Sequence, residues 1–490
     1  LEGAVVLLLK NKKLDAQEIY QMELACIDIL VPQSHLLRVI HENVDFSFIM
    51  DKVRAFYSES QGRPPIDPVR LFKMMLIGYL YGIRSERQLE QEIIPNAAYR
   101  WFLGLGLNDK VPDHSTISWN RNTRFKGTTV FQDIFDEVVR LAITHRMVAG
   151  RVLITDSTHM QANANKNRYT MQVVEDTPQS YVEELEKAVN ESREAHGKKP
   201  LPPQEEGVET KKTRVSVTDP ECGYMARKNK PEGFFNLDHR TVDHKYNIIT
   251  DVFVTPGNVN DSAVYIARLK HQLDTFGFAD TLEAIALDSG YMTPYICEQT
   301  QRMQICAAIA ERAAPATPGI YPKQQFIFDA ANDVYLCPAG EKLKYQTTNR
   351  SGYAEYVSDS AHCVNCPLLT KCTTNQSNQR KIQRHVWEES KEKVIGYRKS
   401  ESGESVYNLR SQTIERSFAD AKELHGYRRC RLRGKAKVQE QAFMTAIAQN
   451  IKKIARYLAR KSGDRSLHFK CLLINAHIWK YMKNRCSVTA

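Results

Sequence analysis

Asp156 closes the apolar, β-rich run Val152-Leu153-Ile154-Thr155, and Asp288 closes a second such run, Leu282 to Leu287. Glu415 lies far downstream, in a segment with helical periodicity. An acid at the end of a buried strand needs a specific partner, because an unpaired charge is costly to remove from water. Three converging carboxylates can hold two Mg²⁺ (or Mn²⁺) ions about 4 Å apart, which activate an attacking oxygen and stabilise a leaving one. Mg²⁺ takes carboxylate and water oxygens, so the ligand type is right, and the chemistry is phosphodiester hydrolysis or transfer. On the Glu415 helix, Phe418, Ala419 and Lys422 fall on one face by the i, i+3, i+4, i+7 rule, so a carboxylate and a lysine look the same way. Asp243, Asp251 and Asp261 compete for the same role. Asp243 reads as a hairpin-turn residue and Asp261 as the N-cap of the next helix, so all three are expected to be structural.

The elements that must position these acids follow from periodicity. Between Asp67 and Arg146 apolar residues recur at helical spacing, Ser85 with Gln88 reads as a capping box, Pro95 interrupts, and Pro112-Asp113-His114-Ser115 starts a short helix. That helix carries Arg121 and Arg124 and reads either as part of a helix-turn-helix unit or as a solvated face. A strand then ends at Asp156. Residues 170 to 233 form an insertion with a Glu-rich helix, Tyr181 to His196, and a Lys/Pro-rich linker. Runs Leu237 to Val242 and Ile248 to Thr255 make a hairpin, Ser262 to Leu273 a helix, and Ile305 to Ile309 one more strand. Residues 311 to 396 look irregular. Helical periodicity resumes near Ser411 and over Val438 to Leu458, where Ala442, Ala446, Ile447, Ile451, Ile454 and Leu458 form one stripe and Lys452, Lys453 and Arg456 point outward. Strand, hairpin, helix, strand and a late helix is the order of a ribonuclease H-like α/β fold, in which the first and fourth strands end side by side.

Cys337, Cys363, Cys366 and Cys372 form C-x25-C-x2-C-x5-C, with His362 as a substitute ligand. Four thiolates suit tetrahedral zinc; four free thiols in an irregular insert are the other reading. Cys26, Cys297, Cys306 and Cys471 read as small buried hydrophobes. Eleven cysteines, an odd number, argue against a disulfide scaffold. The formal charge of +11 is concentrated: from Lys422 to Lys461 twelve Lys or Arg face only Glu423 and Glu440. Arg428, Arg429, Arg431, Arg433 and Lys435 follow the Glu415 helix directly, which suits DNA backbone phosphates, a solvated charge run being the alternative. A 42% hydrophobic, 26% charged composition excludes global disorder. The early apolar run Ala4 to Leu9 is too short for a membrane span and lacks a basic flank, giving a cytoplasmic, nucleoid-associated expectation.

Four segments together resemble bacterial insertion-sequence DDE transposases, in particular the group typified by insertion sequence 1182. They are Ile154-Thr155-Asp156-Ser157-Thr158, Val254 to Asp261, Leu287-Asp288-Ser289-Gly290-Tyr291 and Thr413 to Phe418. The group's C-terminal signature places Tyr, Arg, Glu and Lys in order; Tyr407, Arg410, Glu415 and Lys422 follow it with one extra residue between Arg and Glu. The resemblance implies that Arg410 and Lys422 grip phosphates at the transposon end and that Tyr291 lies beside the active site. Pro112 to Ile117 also resembles the group's DNA-binding region.

The expected organisation is a helical DNA-binding and dimerisation domain over 1–147 and a ribonuclease H-like catalytic domain over 148–310, inserted at about 170–233. A cysteine-rich, zinc-binding insertion over 311–400 precedes the last catalytic part at 401–461 and an extension at 462–490. The expected activity is metal-dependent strand cleavage at transposon ends and strand transfer into target DNA, with double-stranded terminal repeats and target as partners and a homodimer as the unit. A catalytically silent DNA-binding regulator and a ribonuclease H-like nuclease without strand transfer are the rival readings.

Overall fold

The computed structural model describes residues 26–58, 65–175, 181–202, 210–226, 231–312 and 317–461. Ala4 to Leu9, Cys471 and the 462–490 extension, and the expectations placed on them, lie outside these residues.

The described residues up to Thr144 are helical, as the spacing requires. α1 (Leu36–Asn43), α2 (Phe48–Val53), α3 (Pro68–Leu80), α4 (Glu86–Ile93), α5 (Ala97–Phe102), α6 (His114–Trp119) and α7 (Val130–Thr144) follow in order. The starts are chemically specified. Asp67 accepts from Arg70 N with Pro68 in the first turn, Ser85 accepts from Gln88 N, and Asp113 accepts from Ser115 N. Residues Asn120–Arg124 continue α6 as a wider π-helical turn.

β1 (Val152–Gln161) opens the main sheet and is longer than the four-residue run that announces it. The insertion that follows supplies the hairpin β2 (Tyr169–Glu175) with β3 (Thr210–Ser216), the helix α8 (Val182–Ala195), and β4 (Gly223–Met225). β5 (Gly233–Asp243) and β6 (Ile248–Pro256) form the expected hairpin. α9 (Asp261–Phe276), β7 (Ala284–Leu287), α10 (Pro294–Arg302) and β8 (Cys306–Ile309) complete it. The path runs β4-β5-β1-β7-β8, with β6 also on β5. β1 is antiparallel to β5 and parallel to β7, and β7 is parallel to β8.

Residues 311 to 396 are not irregular. β9 (Ile327–Asp329), β10 (Val334–Leu336), β11 (Lys342–Thr348), β12 (Tyr353–Ser358) and β13 (Lys381–His385) make a second, antiparallel sheet in sequential order. Its small core is Phe326, Tyr335, Leu343, Ala354, Tyr356 and Ile382. β9 buries none of its residues, β12 three and the other strands two each, so no long alternating run stands out in the sequence.

Four helices end the described chain: α11 (Glu388–Lys399), α12 (Glu401–Gln412), α13 (Ile414–Leu424) and α14 (Lys435–Lys461). The single-stripe expectation for α14 is corrected. Residues 440 to 451 are all buried, because α14 packs on β6 and also on α7, α1 and α3. Its polar residues are therefore used inside. Asn450 accepts from Ile249 N (2.9 Å) and donates to Ile249 O (2.8 Å), beside the register shift between β5 and β6. Lys453 does not point outward but donates to Asn247 O, and burial pushes its ammonium down to about 7. One hydrophobic core runs from Leu37 through the sheet to Ala455, so the N-terminal helices and the sheet share α14. Among the described residues no helix is long and apolar enough to cross a membrane.

Candidate active site

Parallel pairing places the first two acids. Ile154 on β1 is in register with Ala286 on β7, so two residues further on Asp156, in the middle of β1, and Asp288, just past the end of β7, lie at about the same level on neighbouring strands about 4.8 Å apart. Leu153, Ile154 and the whole of β7 are buried, which fixes the register. Burial raises the Asp156 carboxyl above its ordinary value; Arg410 opposes this, and the charges of Asp288 and Asp261 add to it. Arg410 donates to Asp156 Oδ2 (2.7 Å) and to Thr155 O (3.2 Å) and is buried.

The third acid comes on α13, which touches β1 and β5. Lys422, on the Glu415 stripe, donates to Thr158 Oγ1 (2.6 Å), two residues beyond Asp156 on β1. Arg410 and Lys422, which flank Glu415 in sequence, thus both reach β1 around Asp156, and Glu415 itself is exposed on the helix between them. A buried network anchors α13 to the sheet. Arg240 donates to Ser417 Oγ (3.1 Å) on α13, to Gln449 Oε1 (2.9 Å) on α14 and to Asp238 Oδ2 (2.8 Å) on its own strand. Tyr427 also donates to Asp238 Oδ2 (2.9 Å). Beyond α13 the chain docks on the N-terminal helices: His425 Nδ1 donates to Tyr79 O (2.8 Å), and Gly82 and Gly426, both at φ +65°, let the two backbones approach. A Cβ on Gly82 would stand 3.0 Å from Leu424 O.

Among the competing acids, Asp243 is structural as expected, accepting from Ala149 N, Gly150 N and Lys245 N, and Asp251 pairs with Arg268. Asp261 departs from expectation. The N-cap of α9 is Asn260, whose side chain accepts from Ser262 N, and Asp261 Oδ1 instead accepts from Ser157 Oγ (2.7 Å) on β1. Asn260 is as good a cap as Asp, and weighing it would have freed Asp261 for another task. Tyr291 is 1% exposed, its hydroxyl has no hydrogen-bond partner, and burial, then the Asp261 and Asp156 charges, hold its ionisation well above the ordinary value. Tyr291 therefore lies beside the acids yet offers DNA no surface.

The basic residues sort themselves by burial. The segment after α13 is stitched to the end of β1, Gln161 N donating to Arg428 O and Cys430 N to Gln161 O. This sets the arginines about 17 Å along the strand from Asp156. Arg429, Arg433 and Lys435 are exposed; Arg428 pairs with Glu423. Arg121 is not a surface residue: its guanidinium is paired with Glu86 and Glu440 and is 8% exposed. Arg124 lies over the Tyr57 and Trp119 rings and donates to Asn120 Oδ1 (2.7 Å). The cation-lined cleft that sequence reasoning missed lies nearby, a cavity of about 420 Å³ bordered by Arg84, Arg87, Arg431 and Lys437. Its two halves, Arg84 with Arg87 and Arg431 with Lys437, are more than 300 residues apart, so no local signal reveals it.

All four cysteines of the C-x25-C-x2-C-x5-C set line one small cavity of about 30 Å³. Burial raises the Cys372 thiol, Arg380 opposes this, and the other three thiols add to it. His362 turns instead to Glu341 (3.1 Å). Cys297 is buried as expected, whereas Cys26 and Cys306 are exposed. Among the described residues only Glu90, Asp113 and His114 bring three potential ligand atoms within 4.8 Å of one another, so neither the acids nor the thiols are drawn that tightly together.

Comparison with known proteins bears on this geometry. Residues 25–123 match the family described as Transposase domain (DUF772), and residues 336–455 match the one described as Transposase DDE domain. The chain carries a transposase DDE domain. That domain defines an enzyme family, and here it spans α13 and the cysteine set, while Asp156 and Asp288 lie outside both matched spans. No curated protein matches the chain. Similar solved structures include the piggyBac transposase synaptic complex with hairpin DNA, at 10% identity and a TM-score of 0.32, covering 87% of this chain and 75% of that one. The Mos1 transposase paired-end complex with the left transposon end, at 10% and 0.16, covers 53% of this chain and 62% of that one. A pre-cleavage Mos1 transpososome, at 10% and 0.16, covers 72% and 81%. Likenesses this distant do not bear on residue roles.

Proposed function

We propose that this protein is a DDE transposase of the insertion sequence 1182 type, cleaving one strand at each transposon end and joining the freed 3′-hydroxyl to target DNA. Asp156, Asp288 and Glu415 are its metal ligands. The observation that carries the reading is the parallel β1–β7 register, which brings Asp156 level with Asp288 beneath the helix of Glu415. The strand order β6-β5-β1-β7-β8 is that of a ribonuclease H-like domain. In this reading residues 148–310 and 401–461 form the catalytic domain, residues 1–147 bind DNA and pair protomers, and 311–400 is an insertion.

In chemical type the donors suit a divalent cation: hard carboxylate oxygens in excess of cationic partners, one of them raised chiefly by its burial, with the charges of Asp288 and Asp261 adding to it. When bound, two Mg²⁺ ions supply activation of the attacking oxygen and stabilisation of the leaving one. The chain's own residues do the rest. Arg410 restrains Asp156, the Arg240 network holds α13 against β5, and Arg429, Arg433 and Lys435 stand exposed for backbone phosphates of double-stranded terminal repeats and target. The four cysteines are proposed to hold zinc that ties the β9–β13 sheet together, a structural rather than catalytic role.

The test is Asp156→Asn with labelled end DNA, plasmid target and Mg²⁺. Loss of end cleavage with end binding retained is expected, and retained cleavage refutes the assignment. Joined products from the unaltered protein separate a transposase from a nuclease that only cuts.

A further inference from the structure

We propose that the cleft between the N-terminal helices and the 431–437 stretch is a site for a single nucleotide, its phosphate held by Arg84, Arg87 and Lys437 and its base laid against the guanidinium of Arg431. The proposal rests on the DNA reading above only for where that nucleotide comes from, a DNA strand or free solution. The cleft draws its lining from α3, α4, α6 and the start of α14, and none of the three catalytic acids is part of it.

The cleft has the dimensions of a small-molecule site. Its volume of about 420 Å³ lies within the roughly 300 to 1,000 Å³ usual for such sites, which often form where two parts of a chain meet. A duplex, whose major groove alone is about 12 Å wide, does not enter a space of that size, whereas one base with its sugar and phosphate does.

The lining is apolar in one part and cationic in the other, as a nucleotide requires. Met75, Ile83, Leu89 and Ile117 are buried residues of the apolar part. Beside them the Arg431 guanidinium lies 4.4 Å from the centroid of the buried Tyr79 ring. A guanidinium plane held in this way is a platform on which any base can stack. Its Nε is buried with no hydrogen-bond partner, a rarity that an acceptor on a ligand would relieve.

Charge leads the same way. Glu86 is the only carboxylate in the lining, and Arg121 pairs with it and with Glu440. Arg84, Arg87 and Lys437 are exposed, and among the described residues none of the three has an ion pair. Burial lowers the Arg431 value; Tyr79 opposes this, and the charges of Arg121 and Arg84 add to the lowering. Cations gathered in one cleft without counter-charge repel one another, and a phosphate offsets them, arginine gripping its oxygens in pairs.

The experiment uses the full chain and three probes: a duplex with one unpaired 2-aminopurine nucleotide, the same duplex fully paired, and free 2-aminopurine deoxyribonucleoside monophosphate. Affinity is read by calorimetry and stacking by the loss of 2-aminopurine fluorescence. The unpaired nucleotide should tighten binding about tenfold over the paired duplex, with its fluorescence quenched. Arg431→Met, and Arg84→Gln combined with Arg87→Gln, should each bring that preference close to unity. Should Arg431→Met not fold, Arg431→Lys, which keeps the charge and the stem but not the plane, should lose the quenching likewise. Tight binding of the free monophosphate, lost in the same variants, supports the site and assigns it to nucleotide from solution; weak monophosphate binding beside a strong preference for the unpaired duplex assigns it to a DNA strand. Equal affinity for the two duplexes with no monophosphate binding overturns the proposal and leaves the DNA reading intact. A preference that survives in the variants places the base elsewhere and overturns it too. Absence of binding to either duplex overturns the DNA reading instead, and the monophosphate then decides the cleft alone.

Discussion

Removing Arg240 should disable the protein through position rather than through any contact with substrate. Arg240 and Asp238 are both fully buried, and the guanidinium joins β5 to α13 through Ser417 and to α14 through Gln449. Arg240→Met keeps the stem volume and the strand, but deletes the guanidinium's three hydrogen bonds and its stacking over Phe418 and leaves Asp238 with Tyr427 alone. Breaking a buried pair from one side costs about 3 to 5 kcal/mol. The orphaned Asp238 escapes further cost by taking up a proton. For a carboxyl of ordinary value 3.8, that costs about 4 kcal/mol at pH 7, falling by about 1.4 for each unit of acidification. Urea unfolding at pH 7 and pH 5.5 should therefore show a penalty near 4 kcal/mol that shrinks toward about 2. Under conditions where the variant is folded, end cleavage should drop at least about tenfold, because α13 no longer has its anchor. Arg240→Met combined with Asp238→Leu, which leaves no buried charge, should recover much of the stability but not the cleavage. A penalty below about 1 kcal/mol for the single variant, or one independent of pH, refutes the reasoning.

Three further outcomes follow from the site and its supports. His425 is held neutral, burial pushing it down to about 4 against 6.5 when unfolded; the folded value is the lower one, so its stabilisation is complete above pH 6.5 and is lost as pH falls toward 4. At pH 5 the loss is about 2 kcal/mol, and His425→Gln should lose that much less than the parent between pH 7 and pH 5 in urea titrations. Charge reversal at Arg84 and Lys437, which border the cleft, should weaken DNA binding and flatten its log-log salt slope by about 2, whereas Arg121→Met should destabilise the fold by about 3 to 5 kcal/mol with the slope unchanged. An Arg84/Lys437 double variant with a parental salt slope would remove the cleft from the DNA path. Purified protein should carry about one zinc per chain, lost in Cys366→Ser with a fall in melting temperature; four freely titrating thiols and no metal would leave the cysteines as plain packing residues.

Local chemistry was legible in the residues themselves. The starts of β1 and β7, the caps at Ser85 and Asp113, the β5–β6 hairpin and the α9 and α13 helices are all written in short-range periodicity and turn chemistry, whereas the expected strand end at Asp156 is not, β1 running on to Gln161. What a residue does once folded depends on which distant segment arrives beside it, and there the sequence is silent. Arg121 reads as a surface cation until Glu86 and Glu440 close on it; Lys453 reads as solvated until α14 is covered on both sides. Asp261 reads as a cap until Ser157 is found across the sheet. The second sheet stayed hidden because each of its strands buries too few side chains to leave a pattern, its stability residing in pairing between strands. Periodicity is a one-dimensional property fixed by neighbours along the chain, whereas burial and ion pairing are set by contacts hundreds of residues apart, so only the tertiary fold could decide them.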